Sequence, residues 1–153
     1  MSGLQAPITV KNRLSVLIID NNRADSRLIV EAFKEVGQME GVVCKEDGDE
    51  ALAYLRREEE YSQASLPHII FLDLSLPKKP GLVVLAEIKR NPVLKVIPVV
   101  VVSGSHDPKQ IREAYELHAS CFVYKPDDLN ELIDFIRVCY EFWGTYVAFP
   151  PMG

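Results

Sequence analysis

The chain has 153 residues, 48% hydrophobic and 25% charged, which is enough apolar content for one packed domain and too much for a disordered chain. Its 17 basic and 22 acidic side chains leave a net charge of −5, so there is no electrostatic footprint for DNA or RNA. The longest apolar runs fall far short of the roughly 20 residues a membrane span needs, and residues 1–13 lack the apolar core of a signal peptide. Cys44, Cys121 and Cys139 form neither a CxxC pair nor an even framework, so they read as reduced, small core side chains of a cytoplasmic protein.

Along the chain, short apolar runs alternate with amphipathic stretches. Residues 14–19 (LSVLII) form a β-branched run that stops at the turn cluster Asp20-Asn21-Asn22. Ile29, Ala32, Phe33 and Val36 then recur at helical spacing, and Gly37 ends that helix. Residues 42–45 are a short strand; Asp47-Gly48-Asp49 supplies a turn and an N-cap; Ala51, Leu52 and Leu55 mark a second helix. The acidic stretch from Glu58 to Ser65 reads as a solvated loop. Residues 68–72 (HIIFL) are a third strand ending at Asp73, and the loop Pro77-Lys78-Lys79-Pro80-Gly81 leads to a helix marked by Val84, Leu85 and Ile88. Residues 98–102 (PVVVV) are a fourth strand ending at Ser103. Asp107-Pro108 is an N-cap with proline at the first helical position. Residues 121–124 (CFVY) are a fifth strand ending at Lys125-Pro126, and Asp127 or Asp128 caps a last helix reaching about Trp143.

Five β-α units with strands that lack alternating polarity predict an α/β fold: a flavodoxin-like, doubly wound parallel sheet, order 2-1-3-4-5, with helices on both faces. Ligands of such sheets bind beyond the carboxyl ends of the strands. That order brings Asp20, Asp73, Ser103 and Lys125 together at one sheet end. Carboxylates from adjacent strands suit a hard cation such as Mg²⁺. A carboxylate can also carry a phosphoryl group, with a hydroxyl and a lysine to hold its oxygens. Taken singly, each of the four also fits a plain turn, cap or solvated position. GxxxxGK[ST], GxSxG and HExxH are absent. Ser75 stands where an aspartyl phosphatase needs its second acid. Asp20-Asn21-Asn22-Arg23 is not the hydroxyl- and glycine-rich phosphate loop of a flavin carrier.

At these residues the chain resembles the receiver domain of two-component response regulators, and most of all the small regulators that serve bacterial and cyanobacterial phytochromes. The motifs Ala24-Asp25-Ser26-Arg27-Leu28, Leu72-Asp73-Leu74-Ser75-Leu76-Pro77-Lys78-Lys79, Tyr115-Glu116-Leu117-His118 and Glu141-Phe142-Trp143 carry the likeness. It implies residues 1–13 as an N-terminal extension, 14–143 as the receiver domain and 144–153 as a tail. It further implies that Asp73 accepts a phosphoryl group from a histidine of a sensor kinase, a phytochrome by this likeness. Mg²⁺ would then be held by Asp20, Asp73, the Ser75 carbonyl and Asn21. Ser103 and Lys125 would engage the phosphoryl group, and Phe122 would be the aromatic that turns inward on activation. On this reading the protein is not an enzyme with an outside substrate, and its output passes through contact with an unknown downstream protein.

Two departures bear on that reading. The family normally has two consecutive acids after the first strand; here the second is Asn21. An amide keeps an oxygen donor but removes a full negative charge, so weak Mg²⁺ binding and slow phosphorylation are expected. The alternative is a pseudo-receiver that signals without phosphate. Pro80 stands where relatives commonly carry Asp, and it stiffens the loop.

On the last helix, Leu129, Leu132, Ile133, Ile136, Cys139, Tyr140 and Trp143 form the core-facing stripe. Phe135, Val138 and Phe142 fall on a second flank. That flank is either a homodimer contact, as the resemblance implies, or is covered by the tail from Thr145 folding back.

Overall fold

Five β-branched runs become five short strands: β1 (Val16–Ile19), β2 (Val42–Lys45), β3 (Ile69–Leu72), β4 (Val99–Ser103) and β5 (Cys121–Tyr124). In the computed structural model of the chain the described residues are 13–38 and 40–151; residues 1–12 of the expected N-terminal extension lie outside them. All strand pairs are parallel and the order is β2-β1-β3-β4-β5, as the chain pattern predicts. Five helices connect and follow them: α1 (Arg23–Glu35), α2 (Gly48–Leu55), α3 (Gly81–Arg90), α4 (Pro108–Glu116) and α5 (Leu129–Glu141).

Successive side chains of a strand point to opposite faces, so each central strand feeds two cores. Leu17, Ile19, Ile70, Leu72, Val99 and Val101 pack with α2, α3 and α4. Val16, Ile18, Ile69, Phe71, Val100 and Val102 pack with α1 and α5. Burying each such side chain stabilises the fold by about 1.5–3 kcal/mol before entropy is counted. Strands β1, β3 and β4 are buried throughout, whereas β2 and β5 are half-buried because each lies at a sheet edge. The edge position corrects the cysteine expectation: Cys44 is exposed on β2 and Cys121 half-buried on β5, and Cys139 alone is a core thiol.

Three helix starts follow the expected capping chemistry, and Asn22, read along the chain only as part of a turn cluster, caps a fourth. Asn22, Asp47, Asp107 and Asp128 each accept a backbone N–H of the first turn, and Pro108 sits where its missing N–H costs nothing. Every cap lies at the carboxyl end of the sheet, so these bonds also position the loops around that end. The acidic loop is exposed over most of its length, as expected for a solvated loop. It contains a 3₁₀ turn, Glu59–Tyr61, and the Tyr61 ring lies 4.5 Å from Lys45 Nζ.

The last helix departs from expectation in three ways. It ends at Glu141, and Phe142–Tyr146 form a single π turn. Leu129, expected on the core stripe, is exposed in the first turn. Phe135, expected on the outer flank, turns inward and meets the Phe71 ring edge-on at 6.1 Å. The tail does fold back, but onto the opposite end of the sheet from the strand-end acids. Phe149 is buried between Trp143 and His68, with ring centroids at 6.1 and 5.0 Å. His68 Nδ1 accepts the Ser15 N–H at 2.8 Å, and burial lowers the pKa of its ring. The tail therefore leaves Val138 and Phe142 uncovered.

Candidate functional site

The carboxyl ends of β1, β3, β4 and β5 deliver Asp20, Asp73, Ser103 and Lys125 to one place. The sheet ladder continues one residue past three of the strands. Asp20 N–H donates to the Lys45 carbonyl (3.0 Å), Asp73 N–H to Ile19 (2.9 Å) and Lys125 N–H to Ser103 (2.9 Å). Their Cα positions are thereby fixed by backbone bonds rather than by side-chain packing.

Each carboxylate divides its two oxygens in the same way. Asp20 Oδ1 accepts the Asn22 N–H at 2.8 Å and Asp73 Oδ1 accepts the Ser75 N–H at 2.9 Å. The Oδ2 atoms turn toward Lys125, whose Nζ lies 2.9 Å from Asp20 and 2.8 Å from Asp73. These are charge-assisted bonds, about twice as strong as neutral ones. A third carboxylate joins them: Asp25 Oδ2 lies 2.6 Å from the same ammonium.

The electrostatics of the group follow from burial and charge count. Burial opposes the Lys125 charge, but the bonds to Asp25, Asp73 and Asp20 outweigh it and hold the ammonium above the ordinary lysine range. Burial raises the Asp20 carboxyl pKa, and the bonds from Asn22 and Lys125 only partly reverse that. Three carboxylates around one lysine leave the site with surplus negative charge.

Ser103 is fully buried at the end of β4, and its Oγ accepts the Ser105 N–H at 3.2 Å. Phe122 is half-buried against the α2–α3–α4 core, edge-on to Tyr124 at 6.2 Å. Its N–H donates to the Tyr115 hydroxyl at 3.1 Å. His106, in the loop after β4, stacks on Tyr124 at 4.0 Å. The loop after β3 is held close to Asp73. Gly81 N–H donates to the Leu74 carbonyl, and a Cβ on Gly81 would stand 2.7 Å from the Asp73 carbonyl oxygen, so only glycine fits. Lys79 anchors the same loop through Glu87 (2.8 Å) and Asp49 (3.0 Å).

The structure thus brings Asp20, Asp73, Ser103, Lys125 and Ser75 to one sheet end, with Asn21 exposed beside them. Asp25 is the member that reading strand ends alone misses, since it comes from a helix. The Asn22 cap was the available signal, because it sets Asp25 on the first turn of α1 above the strand ends. The donors gathered here are all oxygen, two of them buried carboxylates, which suits a hard divalent cation. Among the described residues no group of three or more acidic, His or Cys side chains is placed to hold a metal.

Comparison with known proteins agrees with this geometry. A family model for the response regulator receiver domain matches residues 16–137. Response regulator Rcp1 of Synechocystis sp. is 40% identical over 135 residues, covering 88% of this chain and 92% of Rcp1. The crystal structure of the phosphorylated cyanobacterial phytochrome response regulator RcpA superposes with a TM-score of 0.85 at 44% identity, covering 90% of this chain and 99% of RcpA. The Mn²⁺-bound form of Rcp1 superposes with a TM-score of 0.83 at 39% identity, over 90% and 99% of the two chains. With four strand-end polar side chains gathered on the sheet order that this family uses, the chain belongs to the response regulator receiver domain family.

Proposed function

We propose that this protein is a phosphorylation switch in which Asp73 is the acceptor and a sensor histidine kinase, phytochrome-like by the company of its relatives, is the donor. One observation carries the reading: Lys125 bridges Asp20 and Asp73 at 2.9 and 2.8 Å, leaving a buried, oriented carboxylate at the rim of the sheet. In the transfer, an Asp73 carboxylate oxygen forms a bond to phosphorus as the phosphorus–nitrogen bond of the kinase phosphohistidine breaks, and the imidazole leaves. Lys125 is placed to hold a phosphoryl oxygen, and Ser103 is the hydroxyl that moves to meet another, with Phe122 following inward. Asp20, Asp73, the Ser75 carbonyl and the Asn21 amide would hold Mg²⁺, whose role is to offset charge between the acid and the incoming phosphate. With one acid replaced by Asn21, that binding is weak.

A narrow cleft of about 80 Å³ runs beside Lys125, between α1 and the start of α5, with Asp25, Ile29 and Leu132 in its walls. Exposed Leu28 and Leu129 also line it and give it an apolar lip, which suits a docking helix of the kinase. The output is a switched surface rather than turnover of an outside substrate, in the cytoplasm where the kinase domain works. Incubation with acetyl phosphate and Mg²⁺, read by intact mass, should add one phosphate to the wild type and none to Asp73→Asn. An unmodified wild type at every Mg²⁺ concentration, with uptake restored by Asn21→Asp, would instead establish the pseudo-receiver.

The outer flank of α5 supports a second copy of the chain as a partner. Val138, Phe142 and Tyr146 recur at intervals of four and are 65%, 52% and 77% exposed, a stripe that continues off the helix into the π turn. Arg137 and Asp134 pair at 3.0 Å on the same helix and would form the rim. Phe142→Glu should convert a dimer to a monomer in light scattering at equal concentration. A wild type that is monomeric at high concentration, phosphorylated or not, refutes the dimer.

A further inference from the structure

We propose that Asp25 is a positioning residue that holds Lys125 in the unphosphorylated state and must release it for the phosphoryl group to be retained. This rests on the reading of Asp73 as acceptor and adds to it. An ammonium has three N–H donors and no acceptor. In the structure three carboxylates surround it, with Asp25 nearest at 2.6 Å, Asp73 at 2.8 Å and Asp20 at 2.9 Å. A phosphoryl group on Asp73 brings more negative charge and further acceptor oxygens to the same place. Phosphorylation of an Asp73 oxygen takes the charge off that carboxylate, so Lys125 must move its bond from Asp73 to a phosphoryl oxygen while Asp25 and Asp20 still hold it.

Of the two carboxylates that keep their charge, Asp25 leaves at the lower cost. The Asp20 side chain is 5% exposed and is also pinned by a backbone N–H. The Asp25 side chain is 34% exposed, so its carboxylate regains water on release. Its position on the first turn of α1 means the exchange loosens a salt bridge that ties α1 to the Lys125 strand end. The same side chain lines the cleft beside Lys125, so a partner seated there touches the group that governs the lysine.

The test is a time course with acetyl phosphate and Mg²⁺, read by intact mass, together with the ¹⁵N side-chain signal of Lys125. Asp25→Asn weakens the competing acceptor, so the steady-state ratio of phosphorylated to free protein should rise about three- to tenfold. Asp25→Glu should stay near the wild type. Glu31→Gln, which makes the same charge change on an exposed part of α1, should leave the ratio unchanged. The Lys125 ammonium signal of the unphosphorylated protein should move in Asp25→Asn alone. An unchanged ratio in Asp25→Asn, an equal rise in Glu31→Gln, or an unmoved Lys125 signal each overturns the proposal while the acceptor reading stands. If wild type and variants all stay unphosphorylated, the acceptor reading itself has failed and the exchange fails with it.

Discussion

Lys125→Met should lower the stability of the unphosphorylated protein by about 2–3 kcal/mol, measured by urea unfolding at neutral pH. Removing one partner of a buried ion pair strands the other, and here a single deletion strands Asp20 and Asp73 side by side, with Asp25 nearby. The figure is set below that for a fully buried pair because the lysine and Asp25 still reach solvent. Methionine keeps most of the stem packing, so the loss reports charge rather than a cavity.

The pH dependence of that gap follows from the two shifts. The folded pKa of Lys125 is raised, so its contribution is complete below the ordinary lysine value and is lost only as pH climbs through the raised value. The gap between wild type and variant is therefore flat near neutrality and closes in strong alkali. Asp20 acts in the opposite sense. Its folded pKa is raised by burial, so its charged form costs stability at neutral pH, and that cost disappears as pH falls through the folded value. Without the lysine the cost is larger, so the variant should recover part of its deficit on acidification. A gap that stays constant from neutral pH down to pH 4 would mean the carboxylates are not coupled through Lys125.

Asn21→Asp should tighten Mg²⁺ binding about tenfold by titration calorimetry, since it restores a charged oxygen donor beside two carboxylates. The substitution has a cost without metal. A further anion is added to a site already in surplus, so the metal-free variant should melt below the wild type. Mg²⁺ should reverse the order, because a ligand bound only by the folded state stabilises in proportion to its affinity. The crossing of the two melting curves with Mg²⁺ concentration is the decisive result. A variant that melts below the wild type at every Mg²⁺ concentration would place position 21 outside the metal's reach.

The pattern of runs and caps was legible along the chain. β-branched runs marked the strands, the Asp47-Gly48-Asp49 cluster, Asp107-Pro108 and the Asp127-Asp128 pair marked three helix starts, and the repeated β-α order led to the sheet order found. Because ligands of such sheets sit at the strand carboxyl ends, Asp20, Asp73, Ser103 and Lys125 could be named without coordinates. These features are local: an apolar period, a turn residue and a cap each depend on a few neighbouring residues.

The rest depended on which distant elements meet. The outward facing of Cys44 follows from β2 being an edge, which no residue of β2 encodes. Phe135 lies on the outer flank by helical angle, yet Phe71 on β3 offers it a ring to pack against, and burial of the aromatic wins over the ideal period. The tail returns because Phe149 finds a slot between Trp143, one short turn before it, and His68, which is far from both in sequence.

The Lys125 group shows the division most clearly. The strand-end acids, the lysine and the missing acid at position 21 are readable from local pattern. That Asp25 shares the lysine follows from packing between distant elements. The reach of a lysine stem and the tilt of α1 over the sheet settle that contact, and both are set by crossover packing rather than by local sequence period.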